Sequence, residues 1–201
     1  MTIATIFFDL GNVLIDFDPH LMLSHFEKIS HKKRADLEKI LSDFLPWHAY
    51  ELGKTTTDDF IASLKNELDL FGKKEEIKHA CCAIFTLNSQ MVSILLSLKK
   101  RYKLALISNT CHMHFNYLSN QYPIFHLFDK ILLSHEVNLK KPDTKIFLKA
   151  LESMGSQPNE SVFIDDILSH IEAAKKCGMK AIHFKNASLL EKEFSVLGIQ
   201  I

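Results

Sequence analysis

Apolar, β-favouring residues run from Ile3 to Phe8 and stop at Asp9, with Gly11 and Asn12 just beyond. A run of this kind, ending in a carboxylate and turn residues, predicts a buried strand with Asp9 at its carboxyl end. Open parallel α/β sheets bind ligands at that edge. The pattern then turns helical. Asp18 before Pro19 predicts an N-cap with proline in the first turn, and Leu21, Leu23, Phe26 and Ile29 give one apolar face. A second helix is expected over 34–44, interrupted by Pro46. Thr56 with Asp59 has capping spacing and opens a helix carrying Phe60, Ile61, Leu64, Leu68 and Leu70, closed by Gly72. Helices over 74–85 and 89–100 complete a stretch, from about 19 to 100, with no expected strand. One βαβ crossover is much shorter than this. Residues 17–87 are therefore expected to be an inserted helical cap, with 1–16 and 88–201 forming the core.

From Tyr102 onwards strands and helices alternate. Lys103–Ile107 predicts a strand stopped by Ser108, Asn109 and Thr110, with a helix after it. Phe128–Leu133 is the next strand, followed by a loop reaching Lys140, Lys141 and Pro142. Asp143 opens a helix with Ile146, Phe147, Ala150, Leu151 and Met154 on one face. Ser161–Ile164 is a strand ending in Asp165 and Asp166, Ile167–Lys176 a helix ended by Gly178, Met179–Phe184 a last strand and Leu189–Leu197 a last helix. Such alternation argues for an α/β fold, a Rossmann-like parallel sheet with helices on both faces, here carrying the inserted α-helical cap.

Composition narrows the partners. The 201 residues are 47% hydrophobic, and 24 basic residues balance 24 acidic ones. With no net charge and no apolar run near the ~18 residues of a membrane span, neither a nucleic acid nor a membrane is expected as partner. Cys81, Cys82, Cys111 and Cys177 form no CxxC pair and suit free thiols in a reducing, cytoplasmic setting. No basic segment precedes the first apolar run, so a signal peptide is not expected. The eleven histidines are scattered without metal-ligand spacing.

The chemistry-bearing residues gather at strand ends: Asp9, Ser108 with Asn109, Lys141, and Asp165 with Asp166. Crowded carboxylates repel one another unless a cation intervenes, and a few oxygen ligands suit Mg²⁺ together with a substrate phosphate. A lysine and a hydroxyl can hold phosphate oxygens, and a following helix N-terminus favours an anion. A carboxylate nucleophile can form an aspartyl-phosphate.

These residues also carry a family resemblance over most of the chain. FFDLGNVL, with Asp9 as nucleophile, resembles the first motif of the haloacid dehalogenase-like hydrolases. LALISNT, with Ser108 as phosphate-binding hydroxyl, resembles the second, and KKPDTKIF, with Lys141 before proline, the third. VFIDDILSHIEAAKKCGMKAI, with Asp165 and Asp166 as its acidic pair, resembles the fourth. The resemblance implies that Asp166 contacts Mg²⁺ directly, with Asp165 beside it and the Gly11 carbonyl as a further ligand. WHAYELGKTTTDDF, 47–60, is similar to a cap segment of a sugar-phosphatase-like branch that includes an α-D-glucose 1-phosphate phosphatase. The function implied is a Mg²⁺-dependent phosphatase acting on a small phosphorylated metabolite, a sugar phosphate among the candidates, in a monomer or homodimer. Ser108, Asn109 and Lys141 would bind the substrate phosphate, and Asp9 and Lys141 would be catalytic.

The family's phosphatases usually carry a second aspartate two residues after the nucleophile, where this chain has Gly11. That absence keeps a non-catalytic phospho-ligand module as an alternative, while the acidic pair argues against a 2-haloacid dehalogenase. His170 stands where the branch often has asparagine, and Asn138 where glycine is common; asparagine tolerates the positive φ expected there. Asp16 and Asp18 are expected as turn and cap residues, with a replacement acid as their alternative role. Trp47, Tyr50 and Phe60 are expected in the core of the cap, and Cys111 as a packed thiol.

Overall fold

The computed structural model describes residues 2–201. Strands β1 (Thr5–Phe8), β4 (Lys103–Ser108), β5 (Lys130–Leu133), β6 (Ser161–Asp165) and β7 (Lys180–His183) form one parallel sheet in the order β5-β4-β1-β6-β7. β1 is central, pairing Phe8 with Leu106 on one side and Ile164 on the other. Alternation along β1 sends Ile6 and Phe8 to one face and Phe7 to the other. Helices α6 (Ser89–Leu98), α7 (His112–Gln121) and α11 (Ala187–Val196) cover the first face. Helices α9 (Thr144–Met154) and α10 (Leu168–Lys176) cover the second. A short helix, α8 (Ser134–Val137), follows β5 and ends at Asn138, whose φ of 57° is the left-handed conformation expected at that position.

The stretch before α6 is mostly helical: α1 (Pro19–Lys28), α2 (Arg34–Ser42), α3 (Leu45–Glu51), α4 (Thr57–Glu67) and α5 (Lys74–Cys82). Asp18 caps α1 by accepting from the His20 N–H, and Thr56 caps α4 by accepting from the Asp59 N–H. Leu23, Phe26, Leu37, Phe60, Leu64 and Ile77 form a second apolar cluster, separate from the sheet faces and continued onto α7 by Cys111 and Met113.

The expectation that 19–100 contains no strand needs correction. Strand β2 (Ile15–Phe17) pairs antiparallel with β3 (Phe85–Leu87) in a ribbon through which the chain leaves and re-enters the sheet region. Each strand has three residues, too few to show a period, and its partner lies far away in sequence. Phe85 therefore belongs to a strand rather than to the end of α5. Pro46 opens α3 instead of merely interrupting α2, because a proline in the first turn leaves no hydrogen bond unmade. Helix α4 closes at Leu68 and Asp69, the latter with φ of 48°, so Leu70 and Gly72 lie beyond it. Leu70 instead bridges to Ser30. Among the described residues, no helix is long and apolar enough to cross a membrane.

Candidate active site

Asp9 follows the central strand, and its N–H still donates to the Ile164 carbonyl at 2.8 Å, so the backbone there is held by the neighbouring strand. Its Oδ1 accepts from the Leu10 N–H at 2.7 Å and lies 2.6 Å from Lys141 Nζ. The same ammonium lies 2.7 Å from Asp165 Oδ2, at the end of adjacent strand β6. Lys141 is 1% exposed and passes 5.3 Å from the centre of the Phe163 ring. A cation this deeply buried needs carboxylate partners, and it bridges two.

Asp165 is fully engaged. Oδ1 accepts from the Ile167 N–H, Oδ2 from Lys141, and both oxygens lie 3.0 Å from His170 Nδ1. Burial alone would raise its pKa, but the hydrogen bond from His170 and the charge of Lys141 outweigh that and hold the carboxyl below its ordinary value. Asp9 moves the other way. Burial, with a smaller push from Asp165, outweighs the lowering by Lys141 and takes its carboxyl up to about 6. Two carboxylates thus share one lysine, with His170 as a further partner of Asp165.

Asp166 is half-buried. Its Oδ2 accepts from Asn12 Nδ2 at 3.1 Å, and its backbone carbonyl pairs with His183 Nε2 at 2.9 Å. Asn12 and His183 were not singled out by sequence reasoning. Asn12 lies inside the FDLGNV segment, whereas nothing local in the sequence marks His183. The ligand-capable atoms of Asp9, Asp165 and His170 lie within 4.8 Å of one another.

Ser108 ends β4 and Asn109 follows it. Ser108 is 2% exposed. Asn109 is committed: its Oδ1 accepts from the Lys141 N–H at 2.8 Å, and its Nδ2 donates to the Lys141 carbonyl at 2.9 Å. Its side chain therefore clamps the lysine loop. Lys140 points away from the cluster and pairs with Glu51 of α3 at 2.6 Å.

A cavity of 790 Å³ opens beside Leu10, Gly11, Ser108 and Asn109 and extends between the sheet edge and helices α1–α3. Neither Asp16 nor Asp18 lines it, and Asp18 is spent on capping α1. Both are exposed. Tyr50 and Phe60 stack in the helical block with ring centres 4.4 Å apart, and Trp47 packs on Phe60 at 4.7 Å, as expected, while also lining the cavity. Cys111 is buried, and burial pushes its thiol up to about 12.

The chain is similar to known proteins along most of its length. The chain is 28% identical over 210 residues to a D-ribitol-5-phosphate phosphatase of Bacteroides thetaiotaomicron, covering 97% of this chain and 98% of that protein. It is also 28% identical to a glyceraldehyde 3-phosphate phosphatase of Methanothermobacter thermautotrophicus, covering 95% and 89%. Among solved structures, a Bacteroides thetaiotaomicron enzyme in complex with magnesium and inorganic phosphate superposes with a TM-score of 0.81 at 25% identity, over 91% of this chain and 94% of that one. The model for the haloacid dehalogenase-like hydrolases matches residues 6–184, and the chain belongs to that family.

Proposed function

We propose that the protein is a Mg²⁺-dependent phosphatase of small phosphate monoesters that works through an aspartyl-phosphate. The observation that carries this reading is the buried Asp9–Lys141–Asp165 cluster at the carboxyl edge of the sheet, where Leu10, Gly11, Ser108 and Asn109 line a cavity. The names of the relatives support it, since those proteins are phosphatases of different organic phosphates.

In this reading an Asp9 oxygen attacks phosphorus, and the ester P–O bond breaks as the new one forms. The alcohol oxygen leaves and takes a proton from water. Water then attacks the aspartyl-phosphate, releasing inorganic phosphate and restoring the Asp9 carboxylate. Lys141 and Ser108 hold phosphoryl oxygens, where fixed donors stabilise charge as it develops. Asn109 positions Lys141, and His170 and the Ile167 N–H fix Asp165. Residues 17–87 act as a cap that shapes the cavity and excludes water.

The site's donors fit magnesium. They are hard oxygens, and two buried carboxylates, Asp9 and Asp165, share the single ammonium of Lys141. Asp9, Asp166 and the Gly11 carbonyl would hold the ion, with Asp165 beside it, and the ion would supply charge neutralisation at the phosphoryl group. Asp165 already serves three partners, which leaves Asp166 the freer ligand.

The test is phosphate release from acetyl phosphate and p-nitrophenyl phosphate, with magnesium or a chelator, by the natural protein and by Asp9→Asn. Magnesium-dependent release that the substitution abolishes is expected. Full activity in Asp9→Asn would remove it as nucleophile. Phosphate binding without release would favour the non-catalytic module, and halide release from a 2-haloacid would favour a dehalogenase.

A further inference from the structure

The cavity's lining is at odds with a sugar. Its walls are hydrocarbon: Met22 and Phe44 from the helical block, Trp47 at the start of α3, Phe17 and Phe85 from the ribbon, and Leu118 from α7. Phe17 and Phe85 meet edge to face with centres 6.5 Å apart. Leu45, also in the lining, is 82% exposed, and Phe17 is 43% exposed. His114 adds a ring to the same wall, 5.3 Å from Trp47 and 4.9 Å from Phe85, and burial holds it down at about 4, so it stays neutral.

Several polar groups of the lining are already engaged. The Ser42 hydroxyl donates to the Lys39 carbonyl, His48 and Glu51 both engage Lys140, and Asn109 clamps Lys141. What remains is Asp43, exposed at the rim, the Trp47 indole N–H, the second carboxylate oxygen of Glu51, and the hydroxyls of Ser108, at the end of β4, and of Thr110, two residues on. A polyol placed here would give up water and find few donors or acceptors, at a cost for each unpaired hydroxyl. A hydrocarbon placed here gains burial. The volume of 790 Å³ is large within the roughly 300–1,000 Å³ usual for ligand pockets, so there is room for a chain or ring system well beyond three carbons.

We infer that the alcohol part of the substrate is apolar: the cavity takes phosphate monoesters of hydrocarbon-rich alcohols, aliphatic or aromatic, in preference to those of sugars and polyols. This rests on the phosphatase reading above and names its substrate class. Phosphate sits at the polar strand-end pole by Ser108 and Lys141, and the organic group extends between Phe17, Phe85 and the helices.

The experiment is a homologous series of n-alkyl phosphates from ethyl to hexyl, set beside ribitol 5-phosphate and glyceraldehyde 3-phosphate. Leaving-group basicity barely changes along such a series, so chain length isolates burial. Each methylene entering the cavity is expected to raise kcat/KM by about fourfold, roughly 250-fold over the four methylenes of the series. Phe17→Glu, at a half-exposed position, should flatten that slope by setting a charge in the wall. Calorimetry with the matching n-alkyl phosphonates gives an arm that needs no turnover, and Kd should tighten with length by a similar factor. If acetyl phosphate and short esters are hydrolysed while the series is flat and ribitol 5-phosphate is preferred, the apolar assignment is overturned and the phosphatase stands. If nothing is hydrolysed but phosphonate binding tightens with length, the phosphatase reading falls and the apolar cavity remains. A flat phosphonate series overturns the assignment whatever the activity.

Discussion

Replacing His114 by leucine tests whether the cavity wall is as dry as its composition indicates. The ring's Nε2 is buried without a hydrogen-bond partner. Burial takes its pKa from the ordinary 6.5 to about 4, with a backbone hydrogen bond to Cys81 offsetting only part of the shift. The folded-state value is depressed, so the fold favours the neutral ring. Stability from this residue is complete above 6.5 and is lost as pH falls from 6.5 towards 4, because the unfolded chain takes up the proton first. Near pH 5 the unfolded histidine is one and a half units below its pKa while the folded one is still mostly neutral. At ~1.36 kcal/mol per unit the natural protein has then lost about 2 kcal/mol that it holds near pH 7.5. His114→Leu removes this proton uptake and one unsatisfied polar atom. The variant should be at least as stable as the natural protein near pH 7.5 and gain a further ~2 kcal/mol on it near pH 5. Asp9 titrates in both proteins, so the difference between them isolates the histidine. Urea unfolding should be followed by circular dichroism, since Trp47, the chain's one tryptophan, touches the mutated ring and its fluorescence would respond to the change itself. A stability difference that is the same at both pH values would refute the reasoning and mean that His114 titrates in contact with water.

Lys141→Met, measured in a chelator, removes the cation shared by Asp9 and Asp165 and should cost about 3–5 kcal/mol by urea unfolding. Adding Asp165→Asn should recover part of that, and a loss below ~1 kcal/mol would mean that the carboxylates are not held by the lysine. Asp166→Ala should weaken magnesium binding, read by calorimetry, more than Asp165→Ala does. Asp165→Ala should cost more stability, because three partners lose their acceptor; the reverse order in either assay would exchange the two roles. A Cβ at Gly11 would meet the Phe17 ring at 3.4 Å, in ordinary contact, and the backbone there is outside the left-handed region. Gly11→Asp should therefore restore a general acid, a type of group that contributes ~10²–10⁴-fold, and speed n-alkyl phosphates far more than p-nitrophenyl phosphate. Equal effects on both esters would show that another group already protonates the leaving oxygen.

The sheet was readable because each strand is a short apolar run ending in a polar residue, and the strand-end residues Asp9, Ser108 and Asp165 mark the site by that same fact. Helix starts at Asp18, Thr56 and Asp143 were readable because their caps are local. The ribbon was not, since Ile15–Phe17 is recognisable as a strand only beside Phe85–Leu87. Helix α3 was missed because proline was taken as an ending where it is a beginning. The cavity's apolar character was hidden for a related reason. Phe17, Phe44, Trp47 and Phe85 each look like ordinary core in their own segment, and only the fold gathers them round one space. The division of labour between Asp165 and Asp166 likewise depends on which carboxylate the lysine and histidine reach, and adjacent identical residues carry no such information.

The Asn109 clamp has a consequence of its own. A carboxamide carries the same donor and acceptor as a peptide group, and here it exchanges both with the backbone of one residue, as a neighbouring strand would. In effect the side chain adds one more rung to the ladder of β4, on a loop that belongs to no strand. The register of the sheet is thereby carried out to Lys141, whose ammonium is placed relative to Asp9 by the same pattern that places β4 relative to β1. Aspartate at 109 would keep the shape but lose the donor, and glutamine would keep both groups on a stem one carbon too long. Of the twenty side chains, asparagine alone offers a peptide's two functions at this reach.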